Sequence, residues 1–193
     1  FFFHMDYIGL ASVFGYSAFI VGFQFYLKNQ KRSQNVKVDV IKPLQMLTRT
    51  DSFSVFTAGS IEMGKAEDWQ TLFSNRIQEE QNKRLMDNLH IKHLSILNPR
   101  RDDWSSEWNK NKFHPLLVEQ IQWELHHLNQ VNWIIMYFDG NTISPISLLE
   151  LGLFAKSKKI VVYCPNEYFR VENVVEVCKQ NNIPLAASLD ELV

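Results

Sequence analysis

A single carboxylate inside an apolar helix is the residue in this sequence best suited to chemistry. Glu150 lies among Leu148, Leu149, Leu151 and Leu153, and no basic residue stands three or four positions to either side of it. A carboxylate in such surroundings is costly to bury unless it is paired or has a catalytic task. The sequence therefore allows two interpretations of Glu150: a catalytic group, or a residue on the solvent-exposed side of its helix.

The residues before Glu150 predict how it is positioned. Residues 133–138 form a continuous apolar run that predicts a buried strand, and a turn is predicted at 139–141. Ser144 is a favourable N-cap, and Pro145 suits the first helical position because its missing N–H is not needed there. Glu150 is therefore predicted on a helix that begins just beyond the end of a strand.

Strands and helices alternate along the rest of the chain. Strands are predicted at 53–58, 93–97, 133–138, 159–164 and 183–186. Helices are predicted at 69–85, 115–128, 145–157, 171–180 and 188–192. This alternation predicts an α/β domain on a parallel sheet of about five strands with right-handed crossovers. Such sheets bind ligands at the carboxyl ends of their strands, where the loops 59–64, 98–108 and 139–150 are expected to converge.

Composition narrows the classes of function. The net charge of this 193-residue chain is −1, so no basic surface for nucleic acid is predicted. Cys164 and Cys178 are its only cysteines; they form no disulfide framework and no metal spacing, and we interpret them as small buried hydrophobes. We expect no metal and no cofactor.

The N-terminal segment predicts a membrane anchor. Residues 7–27 carry no charge, and a helix of that length spans about 31 Å, enough to cross a bilayer. Lys28, Lys31, Arg32 and Lys37 follow it, which predicts a single-pass orientation with the later domain facing the cytoplasm or the mitochondrial matrix. We therefore predict a transmembrane helix at 1–28, a linker at 29–51 and a soluble domain at 52–193. The sequence starts at Phe1 and not at Met, as expected of a processed product or a fragment.

Six motifs in the soluble domain resemble one family. They are Phe56 to Gly64, Asp68 to Gln70, Asn98 to Trp104, Gln120 to Glu124, Ser144 to Gly152, and Arg170 with Asn173 and Val174. In this order they resemble the nucleoside 2-deoxyribosyltransferase-like family, from about Phe53 to the C-terminus. The resemblance implies a flavodoxin-like or Rossmann-like domain that cleaves the N-glycosidic bond of deoxynucleosides through a covalent glutamyl-sugar intermediate.

The resemblance also implies the site residues. Glu150 matches the family's nucleophile, which meets an oxocarbenium-like sugar carbon while a general acid helps the base to leave. The expected binding residues are Gly59, Ser60, Ile61, Asn98, Arg100, Asn132 and Ser144. The first three match a loop that lines the sugar or, in related enzymes, holds a 5′-phosphate. Because Glu62 in this loop would repel a phosphate, a free nucleoside is the expected ligand.

The sequence departs from the family at two positions. Asn132 and Ser144 stand where transferases of the family carry aspartates, and an amide cannot donate a proton as a carboxyl group does. Asp102 and Asp103 are therefore the candidate acid-base groups, with a solvated loop as the alternative. Glu124, next to Trp123, is interpreted as part of a structural pair.

Two functions fit these features. One is an accessory subunit of a larger membrane complex, such as a respiratory assembly, with doubtful catalysis and with membrane-protein partners bound through the N-terminal helix. The other is an active deoxyribosyltransferase or N-glycosidase that uses Glu150. A third interpretation is a sensor that binds a nucleotide without turnover. A homo-oligomer is compatible with all three.

Overall fold

The computed structural model describes residues 36–47, 49, 51–79, 91–103, 105–109 and 113–192. The predicted transmembrane helix at 1–28 and the first part of the predicted linker lie outside these residues. Within the described part, every helix is too short or too polar to cross a bilayer.

Six strands form one fully parallel sheet. They are β1 (Lys37–Ile41), β2 (Phe53–Gly59), β3 (His93–Leu97), β4 (Trp133–Tyr137), β5 (Ile160–Tyr163) and β6 (Leu185–Ala186). Their order across the sheet is β1-β3-β2-β4-β5-β6, and every neighbouring pair is parallel. The predicted α/β fold with a parallel sheet is confirmed.

About five strands were predicted and six are found. The additional strand is β1, which lies inside the segment predicted as a linker. β1 is an edge strand that pairs only with β3. Lys37 and Asp39 are charged, and Ile41 is its one buried residue. Edge strands commonly carry such charges, and they hide the apolar signal of the strand.

Five helices of the described residues flank the sheet. They are α1 (Trp69–Gln78), α2 (Pro115–Gln130), α3 (Pro145–Phe154), α4 (Val171–Asn181) and α5 (Leu189–Leu192). The first was predicted to reach residue 85, but it ends at Gln78 because Glu79 has an extended backbone (φ −62°, ψ 147°). Single 3-10 turns occur at Glu62–Gly64, Ser106–Asn109 and Ala155–Ser157.

The core has two layers, one on each face of the sheet. Side chains of successive strand residues point to opposite faces, so Phe56 packs with α2, α3 and α4 while Val55 packs with α1 and α5. The first layer includes Trp123, Leu151 and Val174, and the second includes Trp69 and Leu192. Cover on both faces explains why the central strands are continuously apolar.

The strand order puts the topological switch point of the sheet, where a crevice is expected, between β2 and β4. The chain goes from β2 outward to β3 and then crosses back to β4, which lies on the other side of β2. The helices that follow these two strands, α1 and α3, therefore pack on opposite faces. Loops that diverge in this way leave an opening at the carboxyl ends of the strands, the usual ligand position in such sheets.

Candidate active site

Gly59 lets β2 leave the sheet tightly against β4. Its φ is +127°, and a Cβ added there would lie 2.1 Å from the carbonyl oxygen of Tyr137. The next residue, Ser60, donates its N–H to that same oxygen at 2.8 Å. Only glycine fits this backbone conformation, so Gly59 shapes the loop rather than offering a side chain to a ligand.

Three buried hydroxyl groups join the loops on either side of the crevice. The Oγ of Ser60 lies 2.6 Å from the Oγ of Ser144 and 2.9 Å from the Oγ1 of Thr142. The backbone N–H of Asp139 also donates to the Oγ of Ser60, at 2.9 Å. All four residues are buried. The cluster fixes the start of α3 relative to the end of β2.

Glu62 caps the N-terminus of α3. Its Oε2 accepts the N–H of Ile143 at 2.6 Å and the N–H of Ser144 at 3.2 Å. Burial alone would raise the pKa of Glu62, but these two hydrogen bonds and the ammonium group of Lys65 together lower it. Ser144 is the N-cap residue, as predicted, yet its side chain makes no cap bond to the helix. Its φ of +44° is left-handed.

Glu150 lies on the inner side of α3. It is only 6% exposed, which rules out the solvent-exposed interpretation. Leu149 and Leu153 are each 58% exposed instead. No residue in the described ranges donates a hydrogen bond to the carboxylate or pairs with it. Burial, together with the charge of Glu124, raises the pKa of Glu150 to about 8.

Glu124 is a half-buried carboxylate whose charge raises the pKa of Glu150, although its sequence position predicted only a structural role. Its Oε1 accepts a hydrogen bond from Nε2 of Gln120 at 2.6 Å, and the same nitrogen donates to the carbonyl of Pro99 at 3.0 Å. Burial raises the pKa of Glu124 to about 7, although the Gln120 hydrogen bond opposes this. The signal available in the sequence was the i, i+4 spacing of Gln120 and Glu124, which places both on one face of α2.

Asp102 and Asp103 lie in exposed ion pairs. Asp102 is 3.3 Å from Nζ of Lys42, and its side chain is 87% exposed. Asp103 accepts two hydrogen bonds from Arg101, at 2.7 and 2.6 Å, and is also mostly exposed. The structure thus favours the solvated-loop alternative, because both carboxylates are already paired and neither acts on the pKa of Glu150.

Arg100 and Asn98 hold the loop after β3. Arg100 donates to the carbonyl of Glu67 at 2.9 Å and pairs with Asp68 at 3.2 Å, so its charge fastens the loop after β2. Asn98 is buried, and its Oδ1 accepts the N–H of Arg100 at 2.9 Å. Ile61 is half-buried, and its carbonyl accepts the N–H of Gly64 at 2.9 Å. These contacts hold the loops after β2 and β3 in place.

Asn132 lies at the amino ends of the strands, away from the other expected binding residues. It directly precedes β4, and its Oδ1 accepts hydrogen bonds from the N–H and the Oγ of Ser54 at 2.8 and 3.0 Å. This contact ties together the amino ends of β2 and β4, whereas Ser60 and Ser144 lie at the carboxyl ends. The structure therefore separates Asn132 from the other expected binding residues.

An open cleft lies between α3 and α4. Its volume is about 390 Å³, and Leu148, Leu151, Gly152, Arg170, Asn173, Val174 and Val177 line it. Most of this lining is apolar. No group of metal-binding side chains occurs among the residues that the structure describes.

A family model described as nucleoside 2-deoxyribosyltransferase like matches residues 52–168. The chain belongs to this family. The matched range runs from β2 to the loop before α4, so it contains Ser60, Glu124 and Glu150. Comparison with curated proteins finds no match. In this member of the nucleoside 2-deoxyribosyltransferase-like family, β1, α4, β6 and α5 lie outside the matched range.

Proposed function

We propose that this protein cleaves the N-glycosidic bond of a 2′-deoxynucleoside and uses Glu150 as the nucleophile. The observation that carries the proposal is the buried carboxylate of Glu150, which has no partner among the described residues, lies on the helix that follows the strand at the switch point, and has its pKa raised by burial and by the charge of half-buried Glu124. A structural glutamate would be expected to pair with a cation or a hydrogen-bond donor, since an unpaired buried charge is costly. Perturbed carboxyl groups in a crevice are typical of catalytic sites.

The first step forms a covalent intermediate. An oxygen of the Glu150 carboxylate attacks C1′ of the sugar, and the bond between C1′ and the nucleobase nitrogen breaks. The electron pair of that bond goes to the nitrogen, which takes a proton from the carboxyl group of Glu124. The products of this step are the free base, the Glu124 carboxylate and a 2-deoxyribosyl ester on Glu150.

The second step restores both carboxyl groups. A water molecule, or the nitrogen of a second base, loses a proton to Glu124 and attacks C1′. The ester bond breaks, and its electron pair returns to the Glu150 carboxylate. Water as the acceptor gives an N-glycosidase, and a base as the acceptor gives a transferase.

The two raised pKa values suit a pair that shares one proton near neutral pH. The values are about 8 for Glu150 and about 7 for Glu124, so near neutral pH either group can hold the proton. Catalysis needs it on Glu124. Positive charge that develops at C1′ stabilises ionised Glu150, so we propose that the bound substrate moves the proton to Glu124.

Release of free base tests this proposal. Incubation of the protein with each 2′-deoxynucleoside, followed by chromatography, should show free base, and Glu150→Ala should abolish it. Glu119→Ala is the matched control, because Glu119 is an exposed carboxylate on α2. Absence of free base with the unaltered protein, under conditions where it is folded, would rule the proposal out.

A second candidate is an accessory subunit of a membrane complex, with the nucleoside 2-deoxyribosyltransferase-like domain on the cytoplasmic or mitochondrial-matrix side. The uncharged stretch 7–27 and the basic residues after it support this candidate. Extraction of the full chain in mild detergent should then give a large stable complex with other membrane proteins. Recovery of a free monomer would contradict it.

A further inference from the structure

The start of α3 is the natural position for the 5′ end of a sugar held at Glu150. Ser144 precedes Glu150 by six residues, which is about 9 Å along a helix. Side chains on a helix lean toward its N-terminus, so the carboxylate of Glu150 reaches toward this end. A deoxyribose with C1′ at Glu150 would therefore direct its 5′ carbon toward the backbone N–H groups of Ile143 and Ser144. Such a helix N-terminus ordinarily suits an anion.

In this protein the anion is already present, because it is a side chain. The carboxylate of Glu62 accepts both N–H groups, from Ile143 at 2.6 Å and from Ser144 at 3.2 Å. Its side chain is 15% exposed, and Lys65 lies 3.5 Å from the other oxygen, Oε1. The carboxylate of Asp139 is also at this edge, where its Oδ2 accepts the N–H of Glu67 at 3.2 Å.

The hydroxyl groups beneath Glu62 have no hydrogen left for a ligand. Ser144 Oγ donates to Ser60 Oγ at 2.6 Å, and Thr142 Oγ1 donates to the carbonyl of Asp139 at 2.9 Å. Ser60 Oγ can then donate to Thr142 Oγ1, which lies 2.9 Å away. Each hydroxyl has one hydrogen, so the cluster uses all three internally. A phosphate placed here would find two carboxylates and no free hydroxyl donor.

We infer that Glu62 is a specificity-determining residue that restricts the site to nucleosides with a free 5′-hydroxyl, because its carboxylate occupies the place of a 5′-phosphate. The inference rests on the proposed function. A 5′-hydroxyl can donate a hydrogen bond to Oε1 of Glu62. A phosphate dianion has no hydrogen to donate, and the charges of Glu62 and Asp139 repel it.

Binding measurements in a catalytically silent background test the inference. Calorimetry on the Glu150→Ala protein should show that each 2′-deoxynucleoside that binds does so at least tenfold more tightly than its own 5′-monophosphate. Adding Glu62→Ala should reduce this ratio at least tenfold. Glu67→Ala is the matched control, because Glu67 is an exposed carboxylate in the same loop, and it should leave the ratio unchanged. Equal affinity for the two ligands before Glu62 is changed, or binding of neither, overturns the inference.

Thermal unfolding with inorganic phosphate gives a second readout that tolerates a destabilised variant. Millimolar phosphate should raise the Tm of Glu62→Ala, since the N–H groups of Ile143 and Ser144 are then free to bind it. The wild-type protein and Glu67→Ala should show no such shift. The same shift in all three proteins, or in none, contradicts the inference.

These results separate the inference from the proposed function. Selective binding of nucleosides without release of base would refute the function and leave the role of Glu62 standing. Release of base at equal rates from nucleosides and their monophosphates would refute the role of Glu62 and leave the function standing.

Discussion

Replacing Glu150 with glutamine should make the protein progressively more stable than the wild-type protein as pH rises from about 5 to about 8. Burial raises the pKa of Glu150 from 4.5 to about 8. Between these values the folded protein binds a proton that the unfolded chain has lost, so stability falls as pH rises from about 4.5 to about 8. Each pKa unit corresponds to about 1.4 kcal/mol, which sets an upper limit of about 5 kcal/mol for the loss.

Glutamine resembles the protonated carboxyl group and does not titrate. We therefore expect Glu150→Gln and the wild-type protein to have nearly equal free energies of unfolding at pH 5. At pH 8 the variant should be more stable by a few kcal/mol, within the limit of about 5 kcal/mol. The measurement is urea unfolding at pH 5, 6, 7 and 8, with midpoints and slopes compared at each pH.

Glu119→Gln serves as the control for this pH series, because Glu119 is exposed on α2. Its curve should run parallel to that of the wild-type protein. Parallel curves for Glu150→Gln as well would mean that Glu150 is solvated in solution, and the argument for an unpaired buried carboxylate would then be lost.

Three further variants test separate parts of the site. Glu124→Gln should slow base release at least a hundredfold for poor leaving groups and less for good ones, because it removes the general acid; an equal loss for both would contradict that role. Gly59→Ala should lower the free energy of unfolding by at least about 3 kcal/mol, because the new methyl group would lie 2.1 Å from the Tyr137 oxygen; unchanged urea unfolding would contradict the backbone geometry. Asn132→Ala should cost about 1–2 kcal/mol in unfolding experiments through lost hydrogen bonds to Ser54, with the KM for a nucleoside unchanged; a large rise in KM would return Asn132 to the binding site.

The central strands were predictable from the sequence because both of their faces are buried. β3 was predicted at 93–97 and is found at His93–Leu97, and β2 and β4 differ from prediction by one residue each. β1 could not be found in this way, since an edge strand needs little apolar surface.

The orientation of α3 could not be predicted from its own residues. Its leucines occupy all sides of the helix, so periodicity does not say which side faces the sheet. The structure turns Ser147 and Glu150 inward and leaves Ile146, Leu149 and Leu153 exposed. Only the packing of the whole sheet decides this, and it decides whether Glu150 can be catalytic.

Glu124, the proposed acid-base group, was missed because it lies on a different helix. Glu124 precedes Glu150 by 26 residues, and sequence spacing alone does not show that α2 and α3 pack on the same face of the sheet. The position of Asn132, in contrast, was foreseeable. A residue that begins a strand lies at the amino end of that strand, whereas ligands of parallel sheets bind at the carboxyl ends of the strands.

Mass spectrometry of the covalent intermediate tests the central claim most directly. The protein is mixed with a 2′-deoxynucleoside, quenched in acid and digested, and the peptide that contains Glu150 is analysed. We predict an added mass equal to one 2-deoxyribosyl group on Glu150, absent from Glu150→Gln and retained in Glu119→Gln. Release of base with no adduct on this peptide, or an adduct on another carboxylate, would contradict the assignment of Glu150 as the nucleophile.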